Sequence, residues 1–171
     1  MADKPNALLT AKPKNPRFES GTSTRKVEYR AVVSAANSDD GDIFILAGPL
    51  RFGDRIAAIR PGGQGTPALT GATNTDLGFF YKDADGDYVE IDADILWDGI
   101  TLASALTYPN LLTGLNTSLD VSKNIGEHLD KGSDEQPHGG VYLVMTTLAK
   151  NTATGPLTLD LEIEIDEATT S

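Results

Sequence analysis

The nine-residue stretch LTLDLEIEI, residues 157–165, decides the fold of this chain. Every odd-numbered position in it is Leu or Ile, and positions 160, 162 and 164 are acidic. Successive side chains of a β-strand point to opposite faces of the sheet, so this alternation separates the apolar side chains from the carboxylates. The stretch therefore predicts a strand with one buried face and one acidic face toward solvent.

Short runs of a similar kind follow one another along the chain and are separated by turn-forming residues. Asp85-Gly86 lies between two of them and predicts a tight hairpin, because both central residues of such a turn need positive φ. Residues 42–47 are almost continuously apolar, which favours a strand that is covered on both faces or central in the core. The predicted strands are residues 27–34 (VEYRAVVS), 42–47 (DIFILA), 55–60 (RIAAIR), 76–82 (DLGFFYK), 87–91 (DYVEI), 141–148 (VYLVMTTL) and 157–165, with weaker alternation over 113–121 and at most one short edge strand in the loop 61–75.

Little helix is expected. Residues 94–108 (DILWDGITLASALTY) predict one or two short helical turns, interrupted by Gly99 and ended by Pro109, and residues 124–131 predict another. Because strands do not alternate with long helices, a parallel nucleotide-binding sheet is not expected. The pattern predicts an all-β fold, a jelly-roll-like antiparallel β-sandwich that residues 27–171 form as one domain.

The first 26 residues are predicted to form an extended basic arm. Residues 1–30 hold seven Lys or Arg against three acids, a net charge of +4, whereas residues 31–171 hold seven against 22, a net charge of −15. Pro5, Pro13 and Pro16 argue against a helix or a central strand. We expect the arm to lie along an acidic surface of a neighbouring chain. The cations predicted to bind that partner are Lys4, Lys12, Lys14, Arg17, Arg25 and Lys26.

Composition argues against several classes of function. The chain has no cysteine, so it has neither disulfides nor thiolate metal sites. No apolar run approaches the roughly 20 residues that span a bilayer, and the N-terminus lacks the apolar stretch of a signal peptide. We therefore expect no membrane association and synthesis in the cytoplasm. The net charge of −11 argues against nucleic-acid binding, which needs clustered Lys and Arg.

The acids within residues 83–94 are the first candidates for a metal site, because calcium takes six to eight oxygen ligands. The EF-hand pattern fails, since Tyr88 stands where the sixth loop position requires glycine. Alternation sends Glu90 and Asp92 to one side of a strand, away from the acids at the hairpin tip. We expect a solvated acidic hairpin and no strong metal site.

No catalytic constellation emerges from the sequence. His128 and His138 lie ten residues apart without a carboxylate at a metal-ligand spacing. No serine stands in a nucleophile elbow, and the glycine-rich residues 60–66 lack the Lys-Ser or Lys-Thr pair of a phosphate loop. Trp97 and the other aromatics fall near apolar strand positions and are predicted to be core. We expect no enzyme activity and no cofactor; the alternative to a structural role is a soluble carbohydrate- or calcium-binding β-sandwich module.

Several segments, taken in order, resemble a group of small structural proteins of tailed bacteriophages that are encoded near the major capsid protein. The match covers about residues 40–165. Its segments are 41–46 (GDIFIL), 55–59 (RIAAI), 76–81 (DLGFFY), 91–96 (IDADIL) leading into a short helical patch, 140–148 (GVYLVMTTL), and a Thr154-Gly155 turn before the last strand.

This resemblance implies a capsid decoration, or cement, protein. Such a protein is a β-sandwich that sits on the exterior of the virion head, binds the major capsid protein and staples neighbouring subunits together. The expected protein is made in the host cytoplasm and acts as a homo-oligomer, with a trimer favoured.

Overall fold

A computed structural model describes residues 14–17, 24–35, 40–62, 69–70, 72–102, 110–148 and 157–168. Strands dominate these ranges, and no helix among them is long and apolar enough to cross a membrane. The strands are β1 (Lys14–Arg17), β2 (Thr24–Ala35), β3 (Ile43–Leu50), β4 (Arg55–Pro61), β5 (Leu69–Thr70), β6 (Ala72–Lys82), β7 (Tyr88–Leu102), β8 (Val141–Thr147) and β9 (Leu157–Ala168). The helices are α1 (Leu111–Leu115) and α2 (Ile125–Leu129), followed by a 3-10 turn at Ser133–Glu135.

The strands form two antiparallel sheets. Sheet A has the order β1-β2-β9-β4, with β5 also paired to β9, and sheet B has the order β3-β8-β6-β7. One hydrophobic core contains buried side chains from both sheets, among them Ile59 and Ile163 of sheet A and Phe44 and Leu77 of sheet B. The predicted all-β sandwich is therefore confirmed.

Strand β9 is the centre of sheet A. It pairs with β2 along its whole length on one side and with β4 and β5 on the other. Leu161, Ile163 and Ile165 have no exposed surface, and each contributes about 1.5–3 kcal/mol to folding relative to an exposed side chain. The predicted buried face of this strand is confirmed for these three residues; the side chains of residues 157–159 lie outside the described set.

Sheet B buries side chains on both of its faces. Besides the main core, Ile45, Phe80 and Val144 form a small outer cluster on which Tyr142 and Ala93 pack. Residues 42–47 were predicted to be covered on both faces or central in the core. The first of these alternatives holds. Strand β3 lies at an edge of sheet B, whose inner strands are β8 and β6.

A large bulge in β7 produces the cover over this outer cluster. Leu77 pairs with Trp97 but Phe79 pairs with Asp92, so five steps along β7 correspond to two along β6. The surplus backbone crosses over Gly78, where an added Cβ would lie 2.0 Å from the Asp92 carbonyl oxygen. Only glycine leaves room for this close approach of two backbones.

Two of the sequence predictions were wrong. Residues 94–102 were expected to be helical turns but continue β7, because pairing with β6 buries Trp97 and brings Ile100 against the core. Gly99, taken as a helix interruption, has φ +63 and donates its N–H to Asp76 Oδ1 at 2.8 Å within that strand. Residues 103–109 of the same prediction lie outside the described residues.

The second wrong prediction concerns residues 113–121. Their weak alternation suggested a strand, but helix α1 and turns occupy this region. Asn110 explains the helix. Its Oδ1 caps α1 by accepting the N–H of Leu112 at 3.2 Å, and it also accepts the N–H of Ile59 at 3.1 Å. Its Nδ2 donates to the carbonyl of Ala57 at 3.2 Å. The Asn110 side chain therefore caps helix α1 and also hydrogen-bonds two backbone groups of the edge strand β4.

The two remaining local predictions succeeded. Helix α2 lies within residues 124–131, with Asn124 and Glu127 forming a capping box. The β6–β7 hairpin also forms, with Lys82 opposite Tyr88. Its turn differs from the expected one, since Gly86 has positive φ and Asp85 does not.

We predict that Gly78→Ala destabilises the protein by about 3 kcal/mol, because the added methyl group meets β7 backbone that cannot move independently of the bulge. Urea unfolding followed by circular dichroism measures this loss. Gly139→Ala is the matched control, since no atom lies within 4 Å of its added Cβ. Equal stabilities of the two variants would show that the close approach at Gly78 is not a constraint on the fold.

Candidate partner-binding surface

The outer face of sheet A is a row of ion pairs centred on β9, which we name the charged face. Arg30 on β2 makes two hydrogen bonds to Asp160, at 3.1 and 2.9 Å. Glu164 is held from both sides, by Lys26 of β2 at 3.2 Å and by Arg60 of β4 at 2.8 Å. The last pair joins Arg55 to the buried carboxylate of Asp166. The charged face comprises Lys26, Glu28, Arg30, Arg55, Arg60, Asp160, Glu162, Glu164 and Asp166.

This arrangement refines the prediction of an acidic face toward solvent. The carboxylates of β9 do lie on the outer face, but Asp160 and Asp166 are buried beneath the arginines that bind them. Cations on β2 and β4, the two neighbouring strands, nearly balance the charge of this face. The result is an ordered surface of mixed charge.

The ionised form of Glu164 stabilises the fold. Burial raises the pKa of its carboxyl, but the hydrogen bonds and charges of Arg60 and Lys26 outweigh burial and hold that pKa below its usual range. On the neighbouring pair, the hydrogen bond and charge of Asp160 raise the pKa of Arg30. Both effects favour the charged state of each partner.

The six predicted arm cations fall into three groups. Lys4 and Lys12 lie outside the described residues. Lys14 and Arg17 belong to β1, which pairs with β2 at the edge of sheet A, and Arg25 lies within β2 opposite Glu167. Their side chains are not described.

Lys26 is the one of the six cations whose side chain is described, and it binds Glu164 of its own chain. The structure thus brings residues 14–17 and 24–26 to one sheet edge, and β2 begins at Thr24, inside the segment 1–26 predicted as the arm. The boundary between arm and domain at residues 26 and 27 stays a prediction.

The acidic hairpin has a structural role at its tip. The carboxylate of Asp83 accepts the N–H groups of Asp85 and Asp87 at 3.0 and 2.9 Å, which fixes the turn. Farther along β7, burial and then the hydrogen bond and charge of Asp94 raise the pKa of Asp92. Within the described ranges, no group of three or more His, Asp or Glu is placed to hold a metal ion.

The other chemical candidates are separate in the structure. His128 is on α2, where burial first and then the charge of Lys123 lower its pKa. His138 lies exposed in the loop before β8. Trp97 and Phe79 are buried in the main core, as predicted from their apolar surroundings. Tyr108 lies outside the described residues.

Comparisons with known proteins give no relative for this chain: no protein family, curated protein or solved structure matches it.

We predict that Glu164→Gln lowers stability by about 1 kcal/mol at pH 7, the order expected for two ion pairs with partly exposed cations. Because the folded pKa of Glu164 is lowered, its contribution is complete above the unfolded value, near 4.3, and is lost as pH falls through the folded pKa. Unfolding free energies from pH 7 to 3 should show the two proteins converging in acid.

Glu90→Gln is the control, since it removes the same charge from an exposed position on β7. It should change stability little at neutral pH. A Glu164→Gln protein as stable as the unmodified chain at pH 7 would contradict a stabilising role for these pairs.

Proposed function

We propose that this chain is a non-enzymatic structural protein of a tailed-bacteriophage virion. In this proposal it decorates the capsid exterior, binds the lattice of the major capsid protein and stabilises it. It is made in the host cytoplasm, needs no cofactor, and acts as a homo-oligomer, with a trimer favoured.

The positions of the resembling segments support this proposal. Residues 41–46, 55–59, 76–81 and 140–148 all fall on strands of the sandwich or directly before them. Gly78, within the third segment, is required by the crossing of β7. The segments that carry the resemblance are therefore segments that form the fold. One part departs from it, because the expected helical patch after residue 96 is strand up to Leu102.

The observation that carries the proposal is the way the basic segment joins the sandwich. Residues 14–17 add as a short antiparallel strand to the edge of sheet A. The thirteen residues before them include Lys4 and Lys12. An arm that starts at a sheet edge suits a clamp in which arm and sandwich contact different capsid subunits. Linked contacts of this kind bind far more tightly than each does alone.

The placement of the aromatic residues favours this role over the carbohydrate-binding alternative. A sugar platform needs exposed aromatic rings, whereas Trp97 and Phe79 are buried in the main core and Phe80 in the outer cluster. Tyr88 packs against Tyr142 with ring centroids 5.2 Å apart, and Lys82 covers the Tyr88 ring. These rings stabilise sheet B.

We predict that deleting residues 1–13 weakens capsid binding and leaves the domain folded. The deletion ends before β1, because removing residues 1–26 would also remove part of sheet A and the Lys26–Glu164 pair. Losing the ion pairs that Lys4 and Lys12 would form with the partner costs about 1–2 kcal/mol per copy, or roughly 5- to 30-fold in affinity. The difference should shrink at high salt, which screens exposed charges over about 8–10 Å.

Co-sedimentation with capsids assembled from the major capsid protein of the same genome measures this binding. Lys4→Ala/Lys12→Ala should reproduce the loss, and Lys123→Ala/Lys131→Ala, which removes two cations elsewhere, should not. Truncated protein that binds as well as the full chain would refute the clamp. Failure of the full chain to bind capsids would refute the proposed function itself.

A further inference from the structure

A cleft of about 630 Å³ opens at one end of the sandwich. Three segments that are distant in sequence form its walls: residues 49–54 at the end of β3 and in the turn that follows it, residues 136–140 before β8, and the last residues of β9. None of the sequence motifs described above predicted it. The residues that determine its chemistry are Arg51, Asp54, Gln136, His138, Gly140 and Glu167.

Hydrogen bonds within the protein fix these walls relative to one another. Asp54 is only 3 % exposed, and its two oxygens accept the backbone N–H groups of Arg51 at 2.7 Å and Ala168 at 3.0 Å. Gln136 Oε1 accepts the N–H of Phe52 at 2.8 Å. The three segments are therefore tied together before any ligand arrives, which lowers the entropy cost of binding.

These bonds also determine which groups remain for a ligand. Both oxygens of Asp54 and the amide oxygen of Gln136 already accept hydrogen bonds from the protein. Glu167 also has an interaction partner within the protein. The acceptors of the cleft are thus largely engaged.

The donors of the cleft remain accessible. Arg51 and His138 are both exposed on its walls. The amide nitrogen of Gln136 has two further hydrogens to donate while its oxygen is held by Phe52. Arg51, Gln136 and His138 thus bring a guanidinium, an amide and an imidazole to the lining of one concave site. Guanidinium groups match the geometry of carboxylates and phosphates.

We propose that this cleft binds an oxyanion, either a carboxylate carried by a partner's acidic side chain or free phosphate. The proposal rests on the cleft alone and stands apart from capsid binding. Arg51 binds the charge, while Gln136 and His138 supply the neighbouring donors.

Nuclear magnetic resonance titration of the full-length, ¹⁵N-labelled protein tests this proposal. The two probes are sodium phosphate and the peptide acetyl-Asp-Glu-amide, each added at constant ionic strength set with sodium chloride. We expect saturable shifts at the amides of residues 51, 139 and 140 and at the side-chain amide of Gln136. Tighter binding of the peptide would identify an acidic protein segment as the ligand, and tighter binding of phosphate would identify the free anion.

Two variants make the test specific. Arg51→Ala should weaken the binding at least tenfold, because Arg51 is the one arginine among the described residues that line the cleft. Lys123→Ala, the control, makes the same change in net charge between the two helices and should leave the binding unchanged. Unshifted amides elsewhere in the Arg51→Ala spectrum will show that this variant is folded. Equal weakening in both variants, or shifts that never saturate, would overturn the proposal.

Discussion

The alternation of β9 is the constraint on which the rest of the structure depends. Leu161, Ile163 and Ile165 fill the core between the sheets, and the same strand geometry places four carboxylates on the opposite face. Carboxylates this close together repel one another and resist burial unless cations neutralise them. Strands β2 and β4 supply those cations through Lys26, Arg30, Arg55 and Arg60. Apolar burial and charge pairing therefore specify the same strand order, a consistency that favours one fold over its competitors.

Local patterns predicted the fold where each strand carries its own signal. Neighbouring residues alone predicted the alternation of β9, the β6–β7 hairpin and the helical turn within residues 124–131. The prediction failed over residues 94–102, where Gly99 resembles a helix break and only pairing with β6 reveals a bulged strand. The sequence predicted only part of the charged face. The acids of β9 were evident, but the cations that pair with them lie up to 138 residues away in the chain. The sequence did not predict the cleft, because three segments that are distant along the chain form it.

The same long-range pairing changes the meaning of the basic N-terminal segment. Its charge suggested an arm directed entirely at a partner, yet Lys26 stabilises its own sheet and residues 14–17 extend that sheet. In our proposal the cations that precede β1 bind the partner, whereas the cations that follow β1 stabilise the fold. In this proposal the sandwich makes one contact and residues 1–13 make the other, which are the two contacts that a clamp on a capsid lattice requires.

Electron cryomicroscopy of capsids incubated with this protein is the most direct test of the proposed function. Our account predicts sandwich-shaped density on the outer surface of the shell, above junctions between capsid subunits. Further density should run from the β1 edge of each sandwich to a neighbouring subunit. Capsids without added outer density, or with the protein inside the shell, would contradict the account.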